Sequence, residues 1–354
     1  MTTRKIRVLI VDDTALYRKI VRDVLSDFNE VEVVGTAPNG KIALSKIDML
    51  HPDMITLDQE MPEMDGIDTL RQIKALGKKI SVIMVSAYTT KGARITLQAL
   101  ELGAFDFIAK PDSSNMQDNI ESLKSQFKPK FDAFLNRLEI KQALRQPEIK
   151  RTEALETTKT ASNNIDTPSD SLGLKGKPKI VAIGVSTGGP KALADVIPKI
   201  PANLGVPVVV VQHMPPVFTK ALAESLDKKS PLRIKEGTDG QLLEANSVYI
   251  APGGKQMKVD AGKNVGQFIL KITDDPPENH CKPSVDYLFR AVAGLFPGKA
   301  VGVIMTGMGR DGTIGLRLMK RQGAKIIAQD KDTCVVYGMP MEAVKAGVVD
   351  LAKS

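Results

Sequence analysis

The chain has 354 residues, 42% hydrophobic and 25% charged, a composition typical of a globular protein of about two domains and unlike that of a disordered or collagen-like chain. No apolar stretch approaches the ~18–20 residues of a membrane span, and no signal peptide precedes the first predicted strand. The two cysteines form neither a metal-ligand spacing nor a disulfide framework. We therefore expect a cytoplasmic protein without membrane insertion. Residues 1–125 hold 16 Lys and Arg and 18 Asp and Glu, whereas the remaining residues hold 33 Lys and Arg and 23 Asp and Glu. Only the second part therefore has an excess of positive charge that could attract nucleic acid or an acidic protein surface.

Strand and helix patterns alternate over residues 1–125 with short connections, which is typical of a doubly wound parallel sheet. Strands are predicted at residues 6–11, 31–34, 54–57, 81–85 and 105–108, with amphipathic helices at 14–28 and 40–50. We therefore predict an N-terminal α/β domain over residues 1–125.

Polar and charged residues follow the ends of four of these predicted strands. Asp12 and Asp13 follow the first strand, Asp58 the third, Ser86 the fourth and Lys110 the fifth. Because the carboxyl ends of parallel strands meet at one edge of a sheet, the three carboxylates predict an oxygen site suited to Mg²⁺. A metal, a hydroxyl and an ammonium around one aspartate are what phosphoryl transfer to that aspartate requires, because they neutralise the phosphoryl oxygens while the carboxylate attacks in line.

Over its whole length this stretch resembles a two-component receiver domain, with a flavodoxin-like fold. The matching positions include the Asp12-Asp13 pair, Ser86-Ala87, Lys110-Pro111, and Asp58 ahead of Met61-Pro62-Glu63-Met64-Asp65-Gly66. The resemblance implies that Asp58 accepts the phosphoryl group. It implies that Mg²⁺ is bound by Asp12, Asp13 and Asp58. It also implies that Ser86 and Lys110 contact the phosphoryl group. It also places Phe107 at the aromatic switch position of the family.

Residues 126–177 are predicted to link this domain to the next, beginning as a helix and continuing as a flexible tether. Five apolar residues recur at helical spacing despite Pro129, which favours a helix that packs an apolar stripe against a domain: Phe127, Phe131, Phe134, Leu135 and Leu138. From Gln146 to Lys177 the residues are mostly polar or charged, so a flexible segment is expected there.

The segment Gly184-Val185-Ser186-Thr187-Gly188-Gly189-Pro190 lies between a strand pattern at 179–185 and a helix pattern at 191–197. A strand, a tight glycine turn carrying a serine, and a helix form the context in which G-x-S-x-G presents a nucleophile at the carboxyl edge of a sheet. We therefore predict that Ser186 is a nucleophile. The alternative is a glycine-rich turn that binds phosphate.

Two further strand patterns lead to a histidine and an aspartate. The strand at 207–212 precedes His213, and the strand at 300–305 runs into the loop that carries Asp311. If these strands share one parallel sheet with that of Ser186, all three side chains lie at one edge, as a Ser-His-Asp relay requires. The alternative base is His280 with Asp239 or Asp260 before it, in the order of the common α/β-hydrolases, but His280 lies in a predicted loop rather than at a strand end.

The loop Thr306-Gly307-Met308-Gly309-Arg310-Asp311-Gly312 lacks the G-x-G-x-x-G spacing of a dinucleotide site. Its glycines instead favour the approach of backbone N–H groups to an oxyanion, and the Met308 N–H is the candidate donor. Donors of this kind are typically worth ~10²–10³ in rate.

Residues 178–354 are similar throughout to the catalytic domain of the chemotaxis protein-glutamate methylesterases (CheB family). The matching segments are Ser186-Thr187-Gly188-Gly189-Pro190, Gln212-His213-Met214-Pro215, Ala251-Pro252-Gly253-Gly254, Pro283-Ser284-Val285-Asp286, Thr306-Gly307-Met308-Gly309 with Asp311-Gly312, and Ala328-Gln329-Asp330. The resemblance implies an α/β domain with a mostly parallel sheet and a triad of Ser186, His213 and Asp311 that needs no cofactor. It further implies hydrolysis of glutamate methyl esters on methyl-accepting chemoreceptors, glutamine deamidation as a second activity, and a chemotaxis histidine kinase as phosphodonor.

The order of the two domains predicts how the activity is regulated. We expect the unphosphorylated receiver to cover the Ser186 edge and phosphorylation at Asp58 to weaken that contact. A protein of another class, a response regulator whose second half binds nucleic acid, is favoured only by the basic excess, since no helix-turn-helix, zinc spacing or aromatic-rich RNA motif is evident. We therefore expect no DNA binding; a scaffold with an inactive esterase site is the remaining alternative.

Overall fold

The computed structural model describes residues 4–143 and 177–354. The predicted flexible tether at residues 146–177 lies outside the described residues except for Lys177. Within the described ranges, no helix combines the length and the apolar character needed to cross a membrane.

Residues 4–143 form a five-stranded parallel sheet with helices on both faces. The elements are β1 (Ile6–Val11), α1 (Ala15–Ser26), β2 (Val31–Ala37), α2 (Gly40–Leu50), β3 (Met54–Asp58), α3 (Gly66–Ala75), β4 (Ser81–Ala87), α4 (Thr90–Glu101), β5 (Asp106–Lys110) and α5 (Met116–Ala143). The strand order β2-β1-β3-β4-β5, with every neighbouring pair parallel, is the doubly wound flavodoxin-like order. The predicted fold class of this domain is confirmed.

Helix α5 runs through the domain boundary predicted at residue 125. Phe127, Phe131 and Phe134 are buried on its inner face in the cluster formed with α1 and the sheet, and the ring of Phe131 packs edge-on against Phe28 at 5.3 Å. The helix continues through Pro129 because these rings bury apolar area against the first domain. The start of the predicted linker is therefore part of the first domain.

Residues 177–354 form a second α/β domain, built on a seven-stranded sheet whose order is β14-β13-β12-β6-β7-β9-β8. Its elements are β6 (Ile180–Val185), α6 (Gly189–Val196), β7 (Val208–Gln212), α7 (Phe218–Asp227), β8 (Arg233–Glu236), β9 (Ser247–Ile250), β10 (Gln256–Ala261), β11 (Phe268–Thr273), α8 (Val285–Leu295), β12 (Ala300–Ile304), α9 (Thr313–Arg321), β13 (Lys325–Gln329), α10 (Met339–Lys345) and β14 (Leu351–Lys353). All neighbours in the large sheet are parallel, and only β10 and β11 pair antiparallel, in a separate ribbon. The predicted mostly parallel sheet is confirmed.

Strand β6 lies at the point where this sheet reverses its order. The chain moves from β6 to β7 on one side and returns with β12 on the other, and ligands of open α/β sheets bind where two such connections diverge. Helices α6 and α7 cover one face of the sheet, and α8, α9 and α10 cover the other. The fold therefore places the residues that follow β6, β7 and β12 at a natural site.

Two glycines allow the close packing around β6. A Cβ on Gly184 would lie 2.3 Å from Cγ1 of Val285, so the glycine lets α8 pack directly on the strand. Gly188 has φ +80° and precedes the first residue of α6, where the left-handed backbone makes the tight turn after Ser186. Both positions favour glycine for steric reasons.

The two domains share one continuous apolar core. The cluster under α6 and α7 includes Leu97 and Phe107 of the first domain together with Phe218 and Leu222 of the second. The docking face of the first domain consists of α4, β5 and α5, and it lies against the carboxyl edge of the seven-stranded sheet.

Candidate active site

The three residues predicted as a relay follow three adjacent strands. Ser186 directly follows β6 and His213 directly follows β7, with Val185 and Gln212 paired in register one residue earlier. Asp311 lies in the loop after β12, on the other side of β6. The structure thus brings all three to one edge of the sheet, because the parallel order β12-β6-β7 leaves no strand between them.

A direct hydrogen bond joins His213 to Asp311, with 2.8 Å between Nε2 of the ring and Oδ2 of the carboxylate. Burial lowers the pKa of His213, but its hydrogen bonds to Asp311 and Cys281 outweigh that effect and raise the pKa to about 10. Burial raises the pKa of Asp311, whereas the bond from His213 and the N–H groups of Val285 and Asp286 lower it to about 2. The pair therefore favours imidazolium beside carboxylate.

The carboxylate of Asp311 is fixed by a set of donors that sequence reasoning did not assign. Besides His213, it accepts hydrogen bonds at 2.7–3.1 Å from side chains and backbone N–H groups: Asn279 Nδ2, Ser284 Oγ, and the N–H of Val285, Asp286 and Gly312. The N-terminus of α8 supplies two of these N–H groups, and an N-terminus stabilises negative charge. The signal in the sequence is Ser284, which caps α8 by accepting from the Tyr287 N–H.

The backbone of Ser186 is held firmly, and its side chain is half-buried. Its N–H donates to the carbonyl of Thr306 at 3.0 Å, and its carbonyl accepts from Nε2 of Gln212. Among the described residues no hydrogen bond joins its hydroxyl to His213. The predicted nucleophile is thus positioned by its backbone contacts with Thr306 and Gln212 rather than by the imidazole.

The loop after β12 packs directly on Ser186. A Cβ on Gly307 would lie 2.7 Å from the Cβ of Ser186, so only glycine lets this backbone approach the serine so closely. The N–H of Met308, the next residue, has no hydrogen-bond acceptor within the described part of the chain. The close approach of Gly307 to Ser186 is compatible with the predicted role of the Met308 N–H as an oxyanion donor.

A second residue that sequence reasoning missed is Cys281. Its Sγ lies 3.7 Å from Nδ1 of His213, the ring nitrogen that Asp311 does not engage. His280, the alternative base, is exposed, while Asp239 pairs with Lys271. The structure therefore gives His213, and not His280, a buried carboxylate partner.

The predicted acidic site of the first domain is formed as well. Oxygens of Asp12, Asp13 and Asp58 lie within 4.8 Å of one another, and Nζ of Lys110 bridges Asp12 and Asp58 at 2.9 and 2.8 Å. Burial raises the pKa of Asp58 to about 6 against the opposing effect of Lys110. Ser86 is fully buried at the end of the neighbouring strand β4, so the five predicted residues surround one edge.

The first domain contacts Thr187, the residue that follows Ser186. Oγ1 of Thr187 donates to Oδ2 of Asp106 at 2.8 Å, and Nζ of Lys130 pairs with the same oxygen at 2.8 Å. Beside this contact the ring of Phe107 stacks on Phe218 at 4.5 Å between centroids. A buried polar contact and an aromatic stack thus hold the candidate switch residue against the second domain.

Charged side chains surround these central contacts. Arg94 on α4 lies 3.1 Å from Glu224 on α7, and Glu101 pairs with Lys229 at 2.6 Å while accepting a hydrogen bond from Ser225. These groups are partly exposed, and pairs of this kind contribute about 0.2–1 kcal/mol each. They define the orientation of the interface more than its strength.

Two family models match the two domains. Residues 8–121 match the response regulator receiver domain and residues 181–354 match the CheB methylesterase domain. A protein of Desulfotalea psychrophila named protein-glutamate methylesterase/protein-glutamine glutaminase is 49% identical, over 98% of this chain and 94% of its own length. A protein of the same name from Bacillus subtilis is 46% identical over 97% of this chain and 94% of its own length. The crystal structure of the Thermotoga maritima CheB methylesterase catalytic domain is 43% identical, covers 50% of this chain and 93% of that one, and has a TM-score of 0.48.

The electrostatics of the His213–Asp311 pair give a first prediction. The histidine should titrate in nuclear magnetic resonance spectra with a pKa near 10 instead of its ordinary 6.5. Replacing Asp311 by Asn should lower that pKa, because the imidazolium loses its charged partner. Asp239→Asn, which removes an exposed carboxylate paired with Lys271, should leave the titration of His213 unchanged. A wild-type midpoint near 6.5 would contradict the described pairing.

Proposed function

The chain belongs to the CheB family of protein-glutamate methylesterases, and we propose that Ser186, His213 and Asp311 perform its hydrolytic reaction. The activity of the family is hydrolysis of glutamate methyl esters and deamidation of glutamines, under the control of a phosphorylated receiver domain. The observation that carries the proposal is the bond between His213 and Asp311 at the strand end next to Ser186.

In the proposed reaction, Oγ of Ser186 attacks the glutamyl carbonyl carbon while Nδ1 of a neutral His213 takes the hydroxyl proton. Because the raised pKa of His213 keeps the neutral imidazole a minority at neutral pH, the rate should rise as the pH approaches about 10. Asp311 holds the ring through Nε2 and stabilises the imidazolium that forms. The Met308 N–H donates to the oxyanion of the tetrahedral intermediate. His213 then protonates the methoxy oxygen, and methanol leaves an acyl-enzyme.

Water completes the cycle. His213 takes a proton from the water that attacks the acyl carbon, and returns it to the oxygen of Ser186 as the glutamate carboxylate is released. With a glutamine substrate the same steps release ammonia in place of methanol. None of them needs a cofactor, since every proton moves between Ser186, His213, water and the leaving group.

In the receiver domain, we propose that Asp58 accepts the phosphoryl group from a histidine kinase. The three carboxylates that lie within 4.8 Å of one another fit a hard cation with oxygen ligands, so Asp12, Asp13 and Asp58 would hold Mg²⁺. When bound, the metal neutralises charge on the transferring phosphoryl oxygens. Lys110, which already contacts Asp58, and Ser86 would contact the remaining oxygens.

The contacts of β5 support a regulatory role for the interface. Asp106 and Phe107, which contact the second domain, lie four and three residues before Lys110 on the same short strand. A phosphoryl group on Asp58 draws Lys110 toward new oxygens, and a change at one end of a five-residue strand reaches the other end. We propose that this movement of β5 weakens the hydrogen bond between Asp106 and Thr187 and uncovers the edge of the sheet that carries Ser186.

The partners follow from the same assignments. The substrates proposed for the esterase are glutamyl side chains on the cytoplasmic helices of methyl-accepting chemoreceptors, and the phosphodonor is a chemotaxis histidine kinase. We propose on this basis that the protein acts in the cytoplasm, where it would reset receptor methylation during adaptation.

Loss of the nucleophile tests the reaction. Ser186→Ala should lower methanol release from methylated chemoreceptor membranes by at least about 10³-fold, because the residual rate comes only from binding and the oxyanion donor. Ser45→Ala, at an exposed serine of α2 that bonds only within its own helix, should retain release and serves as the control. Release by the Ser186→Ala protein at the wild-type rate would rule out the proposed nucleophile.

A charge swap tests the closed interface without touching either site. Glu101→Lys places a cation beside Lys229, so the unphosphorylated protein should release methanol about two- to fivefold faster, as expected for loss of one partly exposed pair. Adding Lys229→Glu should restore the pair and the low basal rate. Asp68→Lys, on a pair within α3, is the matched control. Failure of the second substitution to reverse the first would count against the contact.

A further inference from the structure

A thiol and an imidazole face each other in the wall of a cavity between the domains. Sγ of Cys281 lies 3.7 Å from Nδ1 of His213, and both residues line a cavity of about 790 Å³ that also reaches Lys110 and Asp112 of the receiver. The reaction proposed above assigns no role to the thiol.

The separation of these two atoms fits two ligands of one metal ion. Zinc binds thiolate at about 2.3 Å and imidazole nitrogen at about 2.0–2.1 Å, so a tetrahedral angle between them separates sulfur from nitrogen by about 3.6 Å. The observed 3.7 Å matches that distance with no movement of the backbone.

The second ring nitrogen of His213 also has the kind of partner that is usual for a metal-bound histidine. A metal-bound histidine usually donates its other ring N–H to a carboxylate, which fixes the tautomer and raises the basicity of the ligating nitrogen. Nε2 of His213 has such a partner in Asp311. Both oxygens of that carboxylate already accept several hydrogen bonds, so Asp311 acts as the partner of the histidine rather than as a further ligand.

We propose that Cys281 Sγ and His213 Nδ1 form a binding site for a zinc-class divalent cation, which switches off the esterase. The ion displaces the thiol proton and any proton on Nδ1, and water or the Ser186 hydroxyl fills the remaining positions. Inhibition rests on the proposed function, because it follows from His213 being the base: a nitrogen bound to a metal cannot take the proton of Ser186. The metal site itself rests only on the geometry.

The second cysteine provides a matched control. Cys334 is also half-buried, but its sulfur contacts the backbone carbonyl of Gln329 at 3.9 Å, and it belongs to no group of three or more metal-ligating side chains within the described ranges. Zinc binding that depends on Cys281 and not on Cys334 therefore distinguishes this site from general thiol chemistry.

The experiment uses the full chain with excess Mg²⁺, so that the carboxylates of the receiver are not available to the probe. Co²⁺ should produce a thiolate-to-metal absorption band in the wild type and in Cys334→Ser, but not in Cys281→Ser. Zinc chloride should inhibit methanol release reversibly, with recovery on adding EDTA, and Cys281→Ser should raise the half-inhibitory zinc concentration by at least about tenfold, the scale on which metal sites respond to loss of a supporting group.

A measurement on the unmodified protein guards against misfolded variants. Zinc should protect Cys281, and not Cys334, from iodoacetamide, as read by peptide mass spectrometry. Equal alkylation of Cys281 with and without zinc, or a cobalt band that persists in Cys281→Ser, would overturn the metal site. A Cys281-dependent band without any inhibition would retain the metal site and count instead against His213 as the base.

Discussion

The carboxyl edge of the seven-stranded sheet has to meet two requirements at once. It must present Ser186 to a substrate, and it forms the surface on which the receiver docks, through the bond from Thr187 to Asp106 and the stack of Phe107 on Phe218. Because Thr187 is adjacent to Ser186, the docked receiver lies beside the proposed nucleophile. In the proposed function, catalysis and control therefore compete for the same edge, and the closed contact has to be weak enough for one phosphoryl group to disturb.

Buried charge at each site is balanced by fixed groups rather than by water. Asp311 is buried, yet His213 and the N–H groups of Val285 and Asp286 at the start of α8 keep its pKa low. Burial raises the pKa of Asp58 to about 6, and Lys110 provides most of the compensation, with a smaller contribution from the N–H of Gln59. The charge of Asp311 is thus balanced by several fixed donors, whereas that of Asp58 depends mainly on one lysine side chain.

Much of the fold, and part of the candidate site, could be predicted from local sequence patterns. Strand-end residues such as Ser186 and His213 could be placed because parallel strands of known order bring their carboxyl ends together. Cys281 and Asn279 could not, because they lie in a loop whose path depends on left-handed backbone at Asn279 and His280 and on contacts distant in sequence. Helix α5 extends to Ala143, so the helix with an apolar stripe predicted at the start of the linker lies against the first domain, where Phe127 and Phe131 are buried despite Pro129. The Thr187–Asp106 bond joins two domains and has no local signal at all.

The central claim is that the phosphorylation state of Asp58 controls access to Ser186. The most direct measurement compares methanol release from methylated chemoreceptor membranes by the wild type and by Asp58→Asn, each with and without a small-molecule phosphodonor and Mg²⁺. We expect the phosphodonor to accelerate release by the wild type and to have no effect on Asp58→Asn, whose basal release should equal that of the untreated wild type. Equal release in all four conditions, from an active enzyme, would contradict it.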